Sequence, residues 1–294
     1  MTRKCAIVRP SALASLAVAA VAISWASILI LLSSANPISI SFWRLAIASL
    51  ILMPLAMTRL RSIVKNSIKW VIISGAGLAL HFVTWITSLF YTTVAASTTI
   101  VSTYVIFVIP LAYMTGHREI SRNTLISVSM AMMGVFIIAL GDYGGGLGSI
   151  WGDALALFGS ISGAIYFASG KAARETMDTA SYGTLVYGFG AIIVLIISLM
   201  LHIDVFKVEP RSWSYIILLV IGPMLGGHTL LNYSMKYYRS VTVATSTLME
   251  PVGSTIIAYF LLGQRPPPLS YIGMALTLAG TYMIVREETR IGLD

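Results

Sequence analysis

The chain has 294 residues, of which 57% are hydrophobic and 10% are Asp, Glu, Lys or Arg, with a formal net charge of +8. Ordinary globular domains carry about 25% charged residues, so this chain has too few to coat a water-facing surface of its size. With a mean hydropathy of +0.87, a soluble fold is excluded and lipid is the solvent for most of the sequence.

Ten apolar blocks approach the ~20 residues that a helix needs to cross a bilayer. In chain order they run roughly over 11–32, 38–57, 69–91, 95–115, 122–140, 149–170, 181–202, 212–236, 241–262 and 269–285. The first block follows Arg3, Lys4 and Arg9. It exceeds the ~7–15 residues of a signal-peptide core, so it is read as the first transmembrane helix. Open strands would leave backbone groups unpaired in hydrocarbon, which makes every block a helix. The widest polar stretches are 58–69, 171–180 and 203–211, and none is long enough for a soluble domain.

The basic residues lie between blocks, as topology signals do, rather than in a nucleic-acid-binding patch. With a cytoplasmic N-terminus, fifteen Lys and Arg fall on the cytoplasmic side, some of them at block edges, and Lys207, Arg211 and Arg265 on the other; only Arg44 lies well inside a block. That bias predicts a multi-pass protein of the cytoplasmic (plasma) membrane with both termini in the cytoplasm. Cys5 is the single cysteine, which excludes an intrachain disulfide, and no Cys/His spacing suits a metal. There is no Walker A run and no Ser/His/Asp set. No catalytic residue, cofactor or metal is expected, and the chain does not read as an enzyme.

The sequence also repeats. At an offset of 147, residues 81–118 align with 228–265, with identities that include His81/His228, Tyr91/Tyr238, Thr98/Thr245 and Gly116/Gly263. Gly134 and Gly280 occupy like places further on. Each half then holds five helices. Five is odd, so the second half enters the membrane upside down relative to the first. The expected fold is all-α, with ten transmembrane helices in two inverted five-helix repeats, residues 1–145 and 146–294. Such repeats place the substrate near the midplane between the halves.

Ionisable residues at depth are costly and mark sites. Glu250 lies about nine residues into the ninth block, ~14 Å deep at 1.5 Å per residue. Pro251 follows it and denies the carbonyl of Thr247 its helical donor. The pair reads as a site for a substrate cation or a proton, or else as a carboxyl bonded to a neighbouring helix. His81 and His228 are repeat-related; each reads as a binding or titrating group, or as a neutral bridge between helices. Trp25, Trp85, Tyr104 and Tyr166 are aromatic residues at depth, and Asn232 lies one turn past His228. Buried Tyr, Trp and Asn need polar partners, which turns them toward a cavity or another helix. Arg44 follows Trp43 near a helix end and is expected to snorkel to the interface. Asp153 opens the sixth block, where the helix dipole favours an acid. Gly222-Pro223 with Gly226-Gly227, and Pro110, predict a kink in the eighth block and an interruption in the fourth.

Several of these segments together resemble the drug/metabolite transporter superfamily, specifically the EamA-like permeases. They are Ser24-Trp25, Phe42-Trp43-Arg44-Leu45, Thr92-Thr93-Val94-Ala95-Ala96-Ser97, Gly152-Asp153, Glu250-Pro251 and Leu262-Gly263-Gln264-Arg265. The resemblance covers nearly the whole chain. Where family members usually carry Gly-Glu at the ends of helices 4 and 9, this chain has Gly116-His117 and Gly263-Gln264. The resemblance implies a permease for a small metabolite, an amino acid or related compound, with export as the direction. It also implies a cavity lined by helices 1, 3, 4, 6, 8 and 9. Those helices carry Trp25, His81, Trp85, Tyr104, Tyr166, His228, Asn232 and Glu250. The expected partners are a small-molecule substrate, the bilayer and, through Glu250, protons. The alternative reading is a lipid flippase or other lipid-handling protein.

Overall fold

A computed structural model of the chain describes residues 10–57, 59, 65–92, 94–114, 120–142, 150–262 and 266–291. Arg3, Lys4, Cys5 and Arg9, the pairs Gly116-His117 and Gly263-Gln264, Arg265, Thr93 and most of the 141–148 loop lie outside the described residues.

The described residues form helices and turns, with no strand among them. The helices are α1 (Pro10–Ile23), α2 (Ala26–Ser33), α3 (Pro37–Ala56), α4 (Lys65–Ser88), α5 (Val94–Ser102), α6 (Tyr104–Met114) and α7 (Arg122–Asp142). They continue with α8 (Ile150–Arg174), α9 (Thr179–Met200), α10 (Pro210–Leu219), a π-helical stretch (Val220–Thr229), α11 (Leu230–Ser234), α12 (Ser240–Ser246), α13 (Met249–Leu262) and α14 (Pro268–Ile291). Among the described residues, nine helical stretches are long and apolar enough to cross a membrane. The block read as a single helix over 241–262 is instead the pair α12 and α13.

Local chemistry sets the breaks. Between α12 and α13 the chain tightens into three-residue bonds, from Thr247 N–H to the Ala244 carbonyl (3.2 Å) and from Leu248 N–H to Thr245 (3.0 Å). Pro251 cannot donate to the Thr247 carbonyl, so the N–H of Glu250 takes it at 2.8 Å. The acceptor that the sequence leaves free is therefore satisfied by Glu250 itself. The α5/α6 break falls at Thr103, whose hydroxyl donates back to the Ile100 carbonyl at 2.6 Å, a bond that bends helices. This corrects the expectation for Pro110, which α6 carries without a break. The kink expected at Gly222-Pro223 is a full π-helical stretch. A Cβ on Gly227 would come within 2.6 Å of Ile23 Cγ2, so its small size lets the stretch press against α1.

The most extensive helix pairing is α4 along α8. Small residues permit it: a Cβ on Gly77 would stand 2.8 Å from the Tyr166 amide, and one on Gly163 would stand 2.9 Å from His81 Nδ1. Gly134 and Gly280 both lie in the tight α7–α14 packing. At one end of the bundle, Ser67 bonds Thr176 (2.5 Å), Arg59 pairs with Asp178 (3.8 Å) and Lys171 donates to the Met235 carbonyl (2.8 Å). These contacts gather three of the basic connections. Asp178 caps α9, accepting from the N–H groups of Ala180 (3.0 Å) and Ser181 (3.1 Å). Partial burial pushes its carboxyl up, but the Ser181 and Ala180 hydrogen bonds and Arg59 outweigh that and hold it below the usual value. At the opposite end, Trp43 Nε1 donates to the Val205 carbonyl (2.9 Å) within a cluster of Phe42, Phe206 and Trp213.

Candidate functional site

Four segments are interrupted: α1/α2 at Ser24–Trp25, α5/α6 at Thr103, α10/α11 by the π stretch and α12/α13 at Thr247–Leu248. The breaks converge on one internal cavity. It is lined by Ile23 and Ala26 from the first break, Ser102 and Tyr104 from the second, His228 and Leu231 from the third, and Thr247 and Glu250 from the fourth. Arg44, His81, Trp85, Val101 and Phe167 complete the wall. Irregular backbone at membrane depth is tolerated where it is buried in protein or lines a cavity, and discontinuous helices are how transporters build polar sites in lipid. The free space at the centre is about 20 Å³, room for one water molecule.

Of the eight expected positions, five meet at this cavity: His81, Trp85, Tyr104, His228 and Glu250. His81 Nδ1 lies 2.8 Å from the Gly159 carbonyl. A carbonyl only accepts, so Nδ1 carries a proton, and in the neutral ring Nε2 is the acceptor. The ring stacks on Trp85 at 5.8 Å between centroids and meets the edge of Tyr104 at 6.2 Å. The hydroxyls of Tyr104 and Thr247 are hydrogen-bonded, which ties α6 to the α12/α13 break. His81 is 7% and His228 8% exposed, so neither faces lipid.

The other three lie elsewhere. Trp25 does not reach the cavity; it caps α2 and is 38% exposed, because the turn at Ser24–Trp25 rotates it off the inner face. Tyr166 and Asn232 are fully buried, but one layer behind the wall. The Tyr166 hydroxyl donates to Asn232 Oδ1, Asn232 Nδ2 donates to the Tyr187 hydroxyl at 2.9 Å, and Tyr187 bonds Thr229 at 3.0 Å. These groups satisfy one another, and Tyr166 supports His228 from behind, with ring centroids 5.9 Å apart.

The sequence reading missed Arg44. It does not snorkel: its side chain is 0% exposed and faces the cavity. Successive helix residues point ~100° apart, so Trp43 reaches the Val205 loop while Arg44 turns inward. Its guanidinium carbon lies 4.1 Å from the Phe82 ring centroid, and Phe82 in turn packs edge-on against His228 at 5.1 Å. None of its three nitrogens has a hydrogen-bond partner among the described residues, and the same holds for Trp85 Nε1, His228 Nδ1 and Glu250 Oε1. An arginine at a helix centre costs ~2.5–3.5 kcal/mol on insertion scales. That cost was the signal available in the sequence, since Arg44 is the only Lys or Arg away from the edge of an apolar block. Asp153 has a structural contact, accepting from Thr92 Oγ1 at 2.7 Å.

A helical bundle of membrane spans with a buried, charged, centrally placed cavity defines an integral membrane protein of transporter type. The family model for the EamA-like transporter family matches residues 10–140 and 150–286. The chain belongs to that family and carries two copies of its domain. Two proteins of Archaeoglobus fulgidus, each described as an uncharacterized transporter, are 26% identical over 62% of this chain and 63% of the relative, and 22% identical over 87% and 90%. A third, from Clostridium kluyveri with the same description, is 23% identical over 65% of this chain and 63% of its own length. A solved crystal structure of a protein shares the fold, with a TM-score of 0.77 and 16% identity over 97% of this chain and 99% of that one. Family and relatives point to a transporter rather than an enzyme.

Proposed function

We propose that the chain is a secondary transporter or facilitator that exports a small metabolite, an amino acid or related compound, across the cytoplasmic membrane by alternating access around the cavity. The observation that carries this reading is the convergence of four helix interruptions on a buried space that holds His81 and, with unpartnered polar atoms, Glu250, His228 and Trp85. The π stretch supports it, because a segment with glycines and a proline supplies compliance beside the site. About 20 Å³ of free space admits no amino acid, so entry requires the walls to part, as alternating access demands. The repeat supports two inverted halves, 1–145 and 146–294, with α12/α13 serving as the tenth crossing. Glu250 takes the cationic partner of the cycle, a substrate ammonium or a proton.

Counterflow tests the reading. Proteoliposomes loaded with an unlabelled amino-acid mixture are expected to accumulate external labelled amino acids well above protein-free vesicles. Flux at the protein-free rate for every amino acid and related amine, with faster flipping of a fluorescent lysophospholipid, would transfer the protein to the lipid-handling class.

Orientation is testable separately. In a Cys5→Ser background, Ala35→Cys, Gly145→Cys and Lys207→Cys are expected to react with an impermeant thiol reagent in intact cells, while Arg61→Cys stays protected. The reverse pattern overturns the cytoplasmic placement of the termini.

A further inference from the structure

Arg44 has no role in the cationic step assigned to Glu250. Its position is unusual for a side chain that serves packing alone. The guanidinium is fully buried, one face is covered by Phe82 at 4.1 Å, and all three nitrogens lack hydrogen-bond partners among the described residues. Structural arginines in this same protein look different. Arg174 is also buried, yet its nitrogens donate to the Asn232 carbonyl (2.8 Å), the Met177 carbonyl and Thr179 Oγ1 (2.7 Å). The hydroxyls of Tyr166 and Tyr187 near Arg44 are engaged with Asn232 and Thr229 instead.

Glu250 lines the same cavity. The guanidinium and the carboxyl do not close into a hydrogen-bonded pair, and Glu250 Oε1 is unpartnered as well. A buried pair held apart is expensive unless something fills both ends. A guanidinium presents five N–H donors in a rigid plane that matches a carboxylate. A phosphate dianion matches the fork but brings a second negative charge toward Glu250, which repels it. A zwitterion satisfies both poles at once.

We propose that Arg44 is the specificity-determining anchor of the cavity, holding the carboxylate of a zwitterionic substrate whose ammonium faces Glu250. This rests on the reading that the cavity takes a metabolite. Trp85, stacked on His81, and Tyr104, stacked on Phe167 at 5.3 Å, then form the apolar side of the pocket. Arg44 selects for the carboxylate because a substrate without one leaves a buried cation unpaired.

The test uses the full chain in nanodiscs and thermal stabilisation by matched probes. The set comprises L-phenylalanine, L-tryptophan, L-leucine and L-valine, the amine obtained from each by removing its carboxylate, and inorganic phosphate. Wild type is expected to respond to at least one amino acid at a concentration about tenfold or more below that of its amine, the scale of one charge-assisted hydrogen bond. Phosphate is expected to give no shift. Arg44→Gln is expected to bring acid and amine within about twofold of one another. Arg44→Lys keeps the buried charge but not the fork, so it reports even where Arg44→Gln does not fold. It is expected to weaken the amino acid and leave the amine unchanged. Equal responses to acid and amine in wild type, no response to any of the four amino acids, or an undiminished preference in Arg44→Lys overturns the anchor. Flux separates this from the broader reading. A chain that carries amines across liposomes and ignores carboxylates keeps transport and loses the anchor; one that binds through the carboxylate but moves nothing loses transport and keeps the anchor.

Discussion

Glu250→Gln is expected to cut transport by about 10- to 100-fold, the worth of a hydrogen bond to a charged group at ~1.5–3 kcal/mol. The substitution preserves shape and the backbone bond from residue 250 to the Thr247 carbonyl at 2.8 Å, which organises the α12/α13 break. It removes the only acid among the residues that line the cavity. Arg44 then loses its counter-charge, so thermal stability falls modestly. The double variant Arg44→Gln/Glu250→Gln removes both ionisable groups and is expected to recover that stability while transport stays lost. Flux and melting of the three variants decide the matter. The two roles proposed for Glu250 also separate. Loss of ammonium-bearing ligands from the binding profile marks a substrate site, whereas intact binding with a flattened pH response of flux marks a proton site. Wild-type flux from Glu250→Gln across pH 5.5–8, with Glu250→Ala unstable, would show that the carboxyl is only a link between helices.

Arg174→Ala is expected to cost about 3 kcal/mol or more of stability, since three acceptors lose their donor and each buried unsatisfied group costs ~1–3 kcal/mol. Arg174 is 1% exposed and ends α8. Its three bonds tie that end to α11 through Asn232, to the turn at Met177 and to the first residue of α9, Thr179. Lys171, one turn earlier, reaches the Met235 carbonyl at 2.8 Å. Cations in the last turn also suit the negative end of the helix dipole. Arg174→Lys is expected to recover only part of the loss, because a single ammonium cannot reach three acceptors on separate segments as the guanidinium fork does. Melting of the purified variants in detergent checks both. A loss below about 0.5 kcal/mol for Arg174→Ala, the scale of an ordinary surface substitution, would show that the carbonyls find other donors.

Much of the architecture was legible because lipid imposes simple demands on a chain. The apolar blocks announced helices, and the lone deep acid announced Glu250. The offset between His81 and His228 pointed to one shared space, and both line the cavity. The α12/α13 break was half-written in Glu250-Pro251, since proline removes a donor wherever it sits. Pro110 misled for the same reason: α6 absorbs it, while Thr103, whose hydroxyl competes with the backbone, marks the break.

What sequence could not determine is the rotation of each helix about its axis. In water, a polar stripe marks the outer face of a helix. In a bilayer both the lipid face and the packed face are apolar, and that marker vanishes. So Trp25 and Tyr104 read alike, although the turn at Ser24–Trp25 leaves Trp25 38% exposed and Tyr104 lines the cavity. Tyr166 and Asn232 read as cavity residues because they need partners, and the fold supplies those partners in each other. Arg44 read as a snorkelling residue because its length permits that. Only the packing of α3 against α4 sets the guanidinium over Phe82 and into the cavity that Glu250 also lines. Residue types and depth thus belong to the sequence, and which charges face one another belongs to the tertiary structure, since lipid leaves no polar face to read.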